Sequence, residues 1–402
     1  MAQPSLSPPV PAWFALRCSL AYAAALGVNG ILLPFFPVWL KSLTFDDVEI
    51  GLILSLPILL RILAGPLFGF LADRMAERAR VLLFSAGLSI ATALALTKVE
   101  GFWPVLVLFA LQGAAFAPFT PVLESITVMG VRRWGFRYGS IRVWGSIGFV
   151  VTTLIAGEAV SRLSGTIVPV AAAVAFLFTL GAALIVPRLG RAVSTRANAG
   201  GALIPSGSAT GGLLPLMIGC TLVQSTHGMY YGFSGIHWQA LGFSGSQIGL
   251  LWSAGVVAEI LFFFLSSVIA KRFSALSLML FGGGMAVIRW ALFVQPLDFL
   301  PALLLQCSHA FTFAFLHFGM QQKIVERVHE SRESSVQGTY FFYSGLFLAV
   351  STFVSGVLYR HFGQESYYAM SLVAGIGLVI CWVTTRLQPQ RAGSGGKTSD
   401  PS

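Results

Sequence analysis

Apolar residues run along this chain in blocks: twelve stretches, most of them long enough for the roughly 20 residues that a helix needs to cross a bilayer, are separated by short polar breaks. They cover about 12–40, 49–72, 81–99, 102–129, 139–161, 166–187, 213–241, 246–270, 274–294, 298–325, 336–360 and 365–386. Membrane strands are short and alternate apolar with polar positions, whereas runs such as Val105 to Phe109 or Ile260 to Leu265 are continuous. The pattern predicts an all-α integral membrane protein with twelve transmembrane helices.

The longest polar connection, Arg188 to Gly212, is rich in Gly, Ser and Ala and leaves six spans on either side. The expected organisation is a six-helix bundle over 1–187, a cytoplasmic linker over 188–212, a second six-helix bundle over 213–386 and a flexible cytoplasmic tail over 387–402. Short cytoplasmic loops retain Lys and Arg, which sets orientation. Seventeen of the 25 basic residues fall in the even-numbered connections and the tail, among them Arg78, Arg80, Arg132, Arg133 and Arg137. The opposite face has Lys41, Lys98, Arg162 and Arg360. Both termini are therefore expected in the cytoplasm.

Composition agrees, with 56% hydrophobic and 10% charged residues. The net charge of +10 then reads as a topology signal and an attraction to anionic lipid, not as a nucleic-acid footprint. Cys18, Cys220, Cys307 and Cys381 lie in apolar segments without metal-ligand or disulfide spacing. Neither a phosphate-cradling loop nor a nucleophile elbow occurs, so no enzymatic chemistry, cofactor, metal or direct ATP drive is expected.

The chemistry sits inside the spans. A charge at the bilayer centre costs at least about 2.5–3.5 kcal/mol, so Arg61, Glu124, Arg142, Glu259 and Arg289 are expected to pair or to work. Glu124 and Arg142 lie at similar depths on adjacent antiparallel helices and can meet, unless Arg142 snorkels to the surface. Glu259 and Arg289 fall nearer the middle of spans eight and nine, where a carboxylate with a cationic neighbour is a proton carrier or a fixed ion pair. Arg61 follows Pro57 with no acid in its own helix placed to neutralise it and is expected either to meet an anionic substrate or to pair across the bundle. His227 and His309 lie near the middle of spans seven and ten, among Tyr230, Tyr231 and Trp252, surfaces suited to an aromatic ligand. Asn29, Gly27, Gly30, Pro34 and Pro37 are expected to interrupt the first span.

The segment Gly69-Phe70-Leu71-Ala72-Asp73-Arg74, followed by Arg78 and Arg80, resembles the signature loop of the major facilitator superfamily. That resemblance implies two bundles rocking about a midplane site, with Gly69, Asp73 and Arg74 gating the cytoplasmic side. Tyr138-Gly139-Ser140-Ile141-Arg142-Val143-Trp144-Gly145, His227-Gly228-Met229-Tyr230-Tyr231-Gly232, Ile236-His237-Trp238-Gln239-Ala240 and Leu251 to Glu259 are similar to stretches of bacterial phenylpropionate permeases, themselves close to the lactose permease branch of proton symporters. The resemblance implies a symporter taking up a small organic anion, an aromatic monocarboxylate such as 3-phenylpropionate, together with a proton. Arg61, Glu124, Arg142, Trp144, His227, Tyr230, Tyr231 and Trp252 are the expected substrate contacts, and Glu259, Arg289 and His309 the expected proton-coupling group. Span ten departs from the sugar pattern, with no lysine near His309 and Thr312 where an acid is expected. A sugar or nucleoside symporter and an exporter of amphipathic compounds are the other readings. One chain holds both halves, so a monomer suffices.

Overall fold

In a computed structural model, residues 9–74, 77–189 and 212–387 are described. They form twelve helical passes. The first three are α1 (Phe14–Ser42), α2 (Asp47–Arg74) and α3 (Ala79–Leu96). The fourth is α4 (Phe102–Phe116) continued by α5 (Phe119–Trp134), and α6 (Tyr138–Leu163) and α7 (Val168–Ile185) complete the first six. The seventh is α8 (Leu214–Ser225) continued by α9 (His227–Ala240), followed by α10 (Gly245–Arg272) and α11 (Ala275–Phe293). The tenth joins α12 (Phe299–Cys307) to α13 (Leu316–Arg327) through a π-helical turn at Ala310–Phe315, and α14 (Glu330–Phe362) and α15 (Ser366–Leu387) end the chain. The expected linker and tail lie, apart from their first residues and Gly212, outside the described residues.

The passes form two six-helix bundles wrapped in exposed apolar side chains such as Phe84, Trp103, Phe178, Phe264 and Leu372. An apolar belt of this kind is what a bilayer covers, and the chain is a multi-pass membrane protein.

Glycine lets backbones approach closely where the helices pack. A Cβ on Gly148 of α6 would lie 2.2 Å from the Ala23 carbonyl oxygen of α1, and one on Gly30 would lie 2.4 Å from that of Phe149. The same contact explains why α1 is not interrupted. Pro34 has no N–H and frees the carbonyl of Gly30, and Thr153 Oγ1 donates to that oxygen at 2.7 Å. Thr152 Oγ1 donates to the Gly27 carbonyl, also at 2.7 Å. The expected break in the first span is thus corrected: α1 runs unbroken from Phe14 to Ser42, and a neighbouring helix supplies the donor missing at Pro34.

The two bundles touch most closely at the Arg-poor end. Gly157 of α6 faces Gly245 of α10, Gly356 of α14 faces Asp47 and Gly51 of α2, and Gly235 of α9 faces Pro34 of α1. Ser246 Oγ donates to Glu158 Oε2 at 2.6 Å across this seam, and Arg360 pairs with Asp46 at 3.1 Å. Between the bundles and deeper than this seam, Arg61, Arg142 and Glu259 keep accessible side chains.

Candidate functional site

Irregular backbone frames the site. Where bilayer excludes water, helices break only where protein or a cavity satisfies the freed groups, so breaks mark functional positions. The fourth pass breaks at Ala117-Pro118 and the tenth, its counterpart in the second bundle, widens into the π turn directly after His309. The seventh breaks at Thr226, whose Oγ1 accepts a hydrogen bond from Trp290 Nε1 at 2.7 Å.

Arg289 lies between the irregular seventh and tenth passes, completely buried, four residues before the end of α11 and so nearer the Arg-poor face than mid-span. Its Nη1 donates to His309 Nδ1 at 2.8 Å and to Thr312 Oγ1 at 3.0 Å, while Nη2 donates to Gln306 Oε1 at 2.9 Å. The guanidinium also lies over the rings of Tyr230 (5.0 Å) and Trp290 (4.9 Å). His309 Nε2 in turn reaches Glu259 Oε1 at 2.8 Å. The expected Glu259–Arg289 relation is therefore bridged by an imidazole. His227 joins from α9, its Nε2 at 3.2 Å from Thr312 Oγ1 and its Nδ1 at 3.0 Å from the Gln224 carbonyl.

In the first bundle the expected pair does not form an ion pair. Glu124 instead accepts from Tyr22 at 2.7 Å and from Tyr138, and Arg142 lies 5.2 Å from the centre of the Tyr22 ring with no hydrogen bond or carboxylate partner among the described residues. Glu124 is 22 residues into its pass and Arg142 is 21 residues before Leu163, about 31–33 Å from the Arg-poor end at 1.5 Å per residue, so the similar depth holds. Two phenols satisfy the carboxylate in place of the guanidinium, which stays available.

Arg61 stands 14 residues into α2 and Glu259 14 residues into α10, both starting at the Arg-poor end, so both sit about 21 Å deep. Arg61 shares a helix face with Leu54, seven residues earlier, which packs toward Gly232 of α9, and so points between the bundles. It makes no ion pair among the described residues.

The remaining expected contacts divide. Tyr231 is half-buried and stacks on Trp252 at 5.9 Å, whereas His227, Tyr230 and Trp252 are buried behind it. Trp144 does not join the site: with Ile147, Val151 and Ile155 it forms an exposed apolar stripe on α6 that faces the bilayer. The side chains of Gly69, Asp73 and Arg74 lie outside the described residues, although Arg78 of the same connection donates to Ser125 Oγ on α5. Tyr22, Tyr138, Gln306 and Thr312 were not expected as partners. Tyr138 had a signal, since it lies four residues before Arg142 on one helix face. Tyr22 meets Glu124 across 102 residues of sequence and had none.

Two bundles of six helices, each with a charged cluster held inside its spans, form the architecture of a secondary transporter. The chain belongs to the MFS_1 like family, whose sequence profile matches residues 16–370. It is 30% identical over 373 residues to the "Probable 3-phenylpropionic acid transporter" of Escherichia coli (strain K12), covering 89% of this chain and 94% of that protein. It is 28% identical to the lactose permease of Citrobacter freundii over 140 residues, 32% of this chain and 33% of that one. Among solved structures, the nucleoside transporter NupG superposes with a TM-score of 0.76 at 18% identity, covering 93% of this chain and 98% of that one, which shows the fold. The major facilitator resemblance thus holds, and its members in this comparison are transporters, not enzymes.

Proposed function

We propose that this transporter carries an aromatic monocarboxylate such as 3-phenylpropionate into the cell together with a proton. The observation that carries the reading is the pair of arginines, Arg61 and Arg142, that reach the space between the bundles and have no carboxylate partner among the described residues. Deep in the spans Arg61, Arg142 and Arg289 outnumber Glu124 and Glu259, so a bound carboxylate meets unbalanced positive charge. A neutral sugar offers no such compensation. The relative's printed substrate, 3-phenylpropionic acid, supports the same class, and Tyr231 stacked on Trp252 offers a ring surface for the phenyl group.

Glu259 is the proton carrier in this reading, accessible from the space between the bundles and held by His309. Rocking of an N-terminal unit over 1–187 against a C-terminal unit over 213–386 alternates its exposure, with Gly69, Asp73 and Arg74 closing the cytoplasmic side. Both termini lie in the cytoplasm, the membrane is the bacterial inner membrane, and the working unit is a monomer that anionic lipid supports at its Arg-rich face.

Uptake of radiolabelled 3-phenylpropionate by purified protein in liposomes tests this, with an inward proton gradient and with the gradient collapsed. Accumulation that depends on the gradient is expected. Absence of uptake by folded protein, or uptake competed by neutral sugars and not by aromatic acids, rules the assignment out.

A further inference from the structure

We propose that His309 is an uncharged bridge, which presents Glu259 to Arg289 without itself taking up the transported proton; this rests on the coupling role of Glu259 given above. Arginine has donors only and stays charged in proteins. A nitrogen 2.8 Å from Arg289 Nη1 must therefore offer a lone pair, and His309 Nδ1 is that nitrogen. An imidazole with a free Nδ1 lone pair is neutral and carries its hydrogen on Nε2, which lies 2.8 Å from Glu259 Oε1 and donates to it. An imidazolium would set one N–H against another at 2.8 Å, leaving a buried donor without an acceptor.

The surroundings offer no compensation for a second cation. From α9, His227 and Tyr230 lie 5.0 and 5.6 Å from the His309 ring. From α10 come Glu259 and the backbone at Gly255, where a Cβ would stand 3.4 Å from that of His309. From α11 comes Arg289, and from the same pass come Thr312, Phe313 stacked at 5.7 Å and, one further step along, His317. His227 Nδ1 faces the Gln224 carbonyl and so bears a hydrogen, while its Nε2 lies 3.2 Å from Thr312 Oγ1, whose hydroxyl also reaches the His309 carbonyl at 3.2 Å. His309 is thus fixed as a neutral tautomer by its partners. Glu259 is the one anion touching His309 among the described residues.

The bridge works in both states of Glu259. An ionised carboxylate accepts from Nε2–H, and a protonated one still accepts through its carbonyl oxygen while its hydroxyl turns toward the space between the bundles. The proton therefore resides on Glu259, and His309 is a positioning residue that keeps the carboxylate within reach of the Arg289 field.

An amide carries the same pair of functions as this tautomer, an acceptor oxygen and a donor nitrogen. His309→Gln, with His309→Asn as the shorter second variant, is expected to restore gradient-driven accumulation relative to His309→Ala, with the midpoint of the pH profile unmoved, whereas Glu259→Gln loses it. Nitrogen-15 NMR of histidine-labelled protein in lipid, assigned by the signal that His309→Gln removes, is expected to give one protonated and one unprotonated ring nitrogen throughout the pH range of transport. A doubly protonated ring in that range overturns the proposal, as does failure of both folded amide variants to exceed His309→Ala. The NMR result decides the matter even if wild-type accumulation ignores the proton gradient, an outcome that would remove the coupling reading alone.

Discussion

Gly157 of α6 and Gly245 of α10 meet backbone to backbone: a Cβ added to either would stand 2.5 Å from the other's carbonyl oxygen. One turn deeper a Cβ on Gly249 would lie 2.9 Å from the Thr153 carbonyl, and Phe149 and Trp252 follow with ring centres 6.4 Å apart. The seam closing the Arg-poor end is thus built from the absence of side chains. Gly157→Val or Gly245→Val cannot be accommodated without separating α6 from α10. Overpacking costs about 1–3 kcal/mol, enough for a roughly 5- to 150-fold shift between two conformations. The expected result is faster labelling of a Tyr231→Cys reporter by an impermeant maleimide added at the Arg-poor face; unchanged labelling would remove the glycine contact as the seam.

Polar contacts over the same seam should matter less. Glu158 accepts from Ser246 and pairs with Arg162, but all three groups are exposed. Solvent-exposed pairs of this kind contribute little, because water and salt screen them. Glu158→Gln should therefore change the same maleimide labelling far less than Gly157→Val.

The long apolar blocks made the number and order of the passes legible, because a helix buried in lipid must satisfy its own backbone whatever its neighbours do. Local irregularity was not. Pro34 signalled a break that Thr153 repairs from another helix, and the break at Thr226 and the π turn after His309 arise from contacts with Trp290 and Arg289 that no single segment contains. Charged residues were legible one by one, since each is costly in an apolar run. Their pairing was not, because Tyr22 competes for Glu124 from a helix more than 100 residues away and the choice between phenol and guanidinium is made in three dimensions. Trp144 shows the reverse error, a residue inside a resembling motif that packing turns toward lipid.

Close packing of α1 on α6 predicts a stability effect separate from transport. Gly148→Val places its Cβ 2.2 Å from the Ala23 backbone, which cannot yield as a flexible side chain does. About 1–3 kcal/mol of destabilisation is expected. A thermal unfolding midpoint in detergent, followed by loss of monodisperse protein, should fall clearly below wild type. An unaltered midpoint would mean that the two helices are free to part.

Arg61 is expected to anchor the substrate carboxylate. Hydrogen bonds to charged groups contribute about 1.5–3 kcal/mol, so Arg61→Gln should raise KM for 3-phenylpropionate by roughly tenfold or more. Competition by the neutral amide analogue should at the same time improve relative to the acid. Equal losses for acid and amide would place Arg61 outside the carboxylate contact.

Arg289 should not tolerate lysine although the charge is kept. Three acceptors, His309 Nδ1, Thr312 Oγ1 and Gln306 Oε1, are held at 2.8, 3.0 and 2.9 Å by two guanidinium nitrogens in a fixed fork. A single ammonium nitrogen on a flexible stem cannot reproduce that spread or lie flat over Tyr230 and Trp290. At least one buried acceptor is then stranded, at about 1–3 kcal/mol, and the His309 ring is released from the orientation that presents Nε2 to Glu259. Arg289→Lys is therefore expected to lose proton-driven accumulation while still exchanging labelled for unlabelled substrate, a step that needs no net proton movement. Accumulation at the wild-type level by Arg289→Lys would show that charge alone suffices and that the fork geometry is incidental.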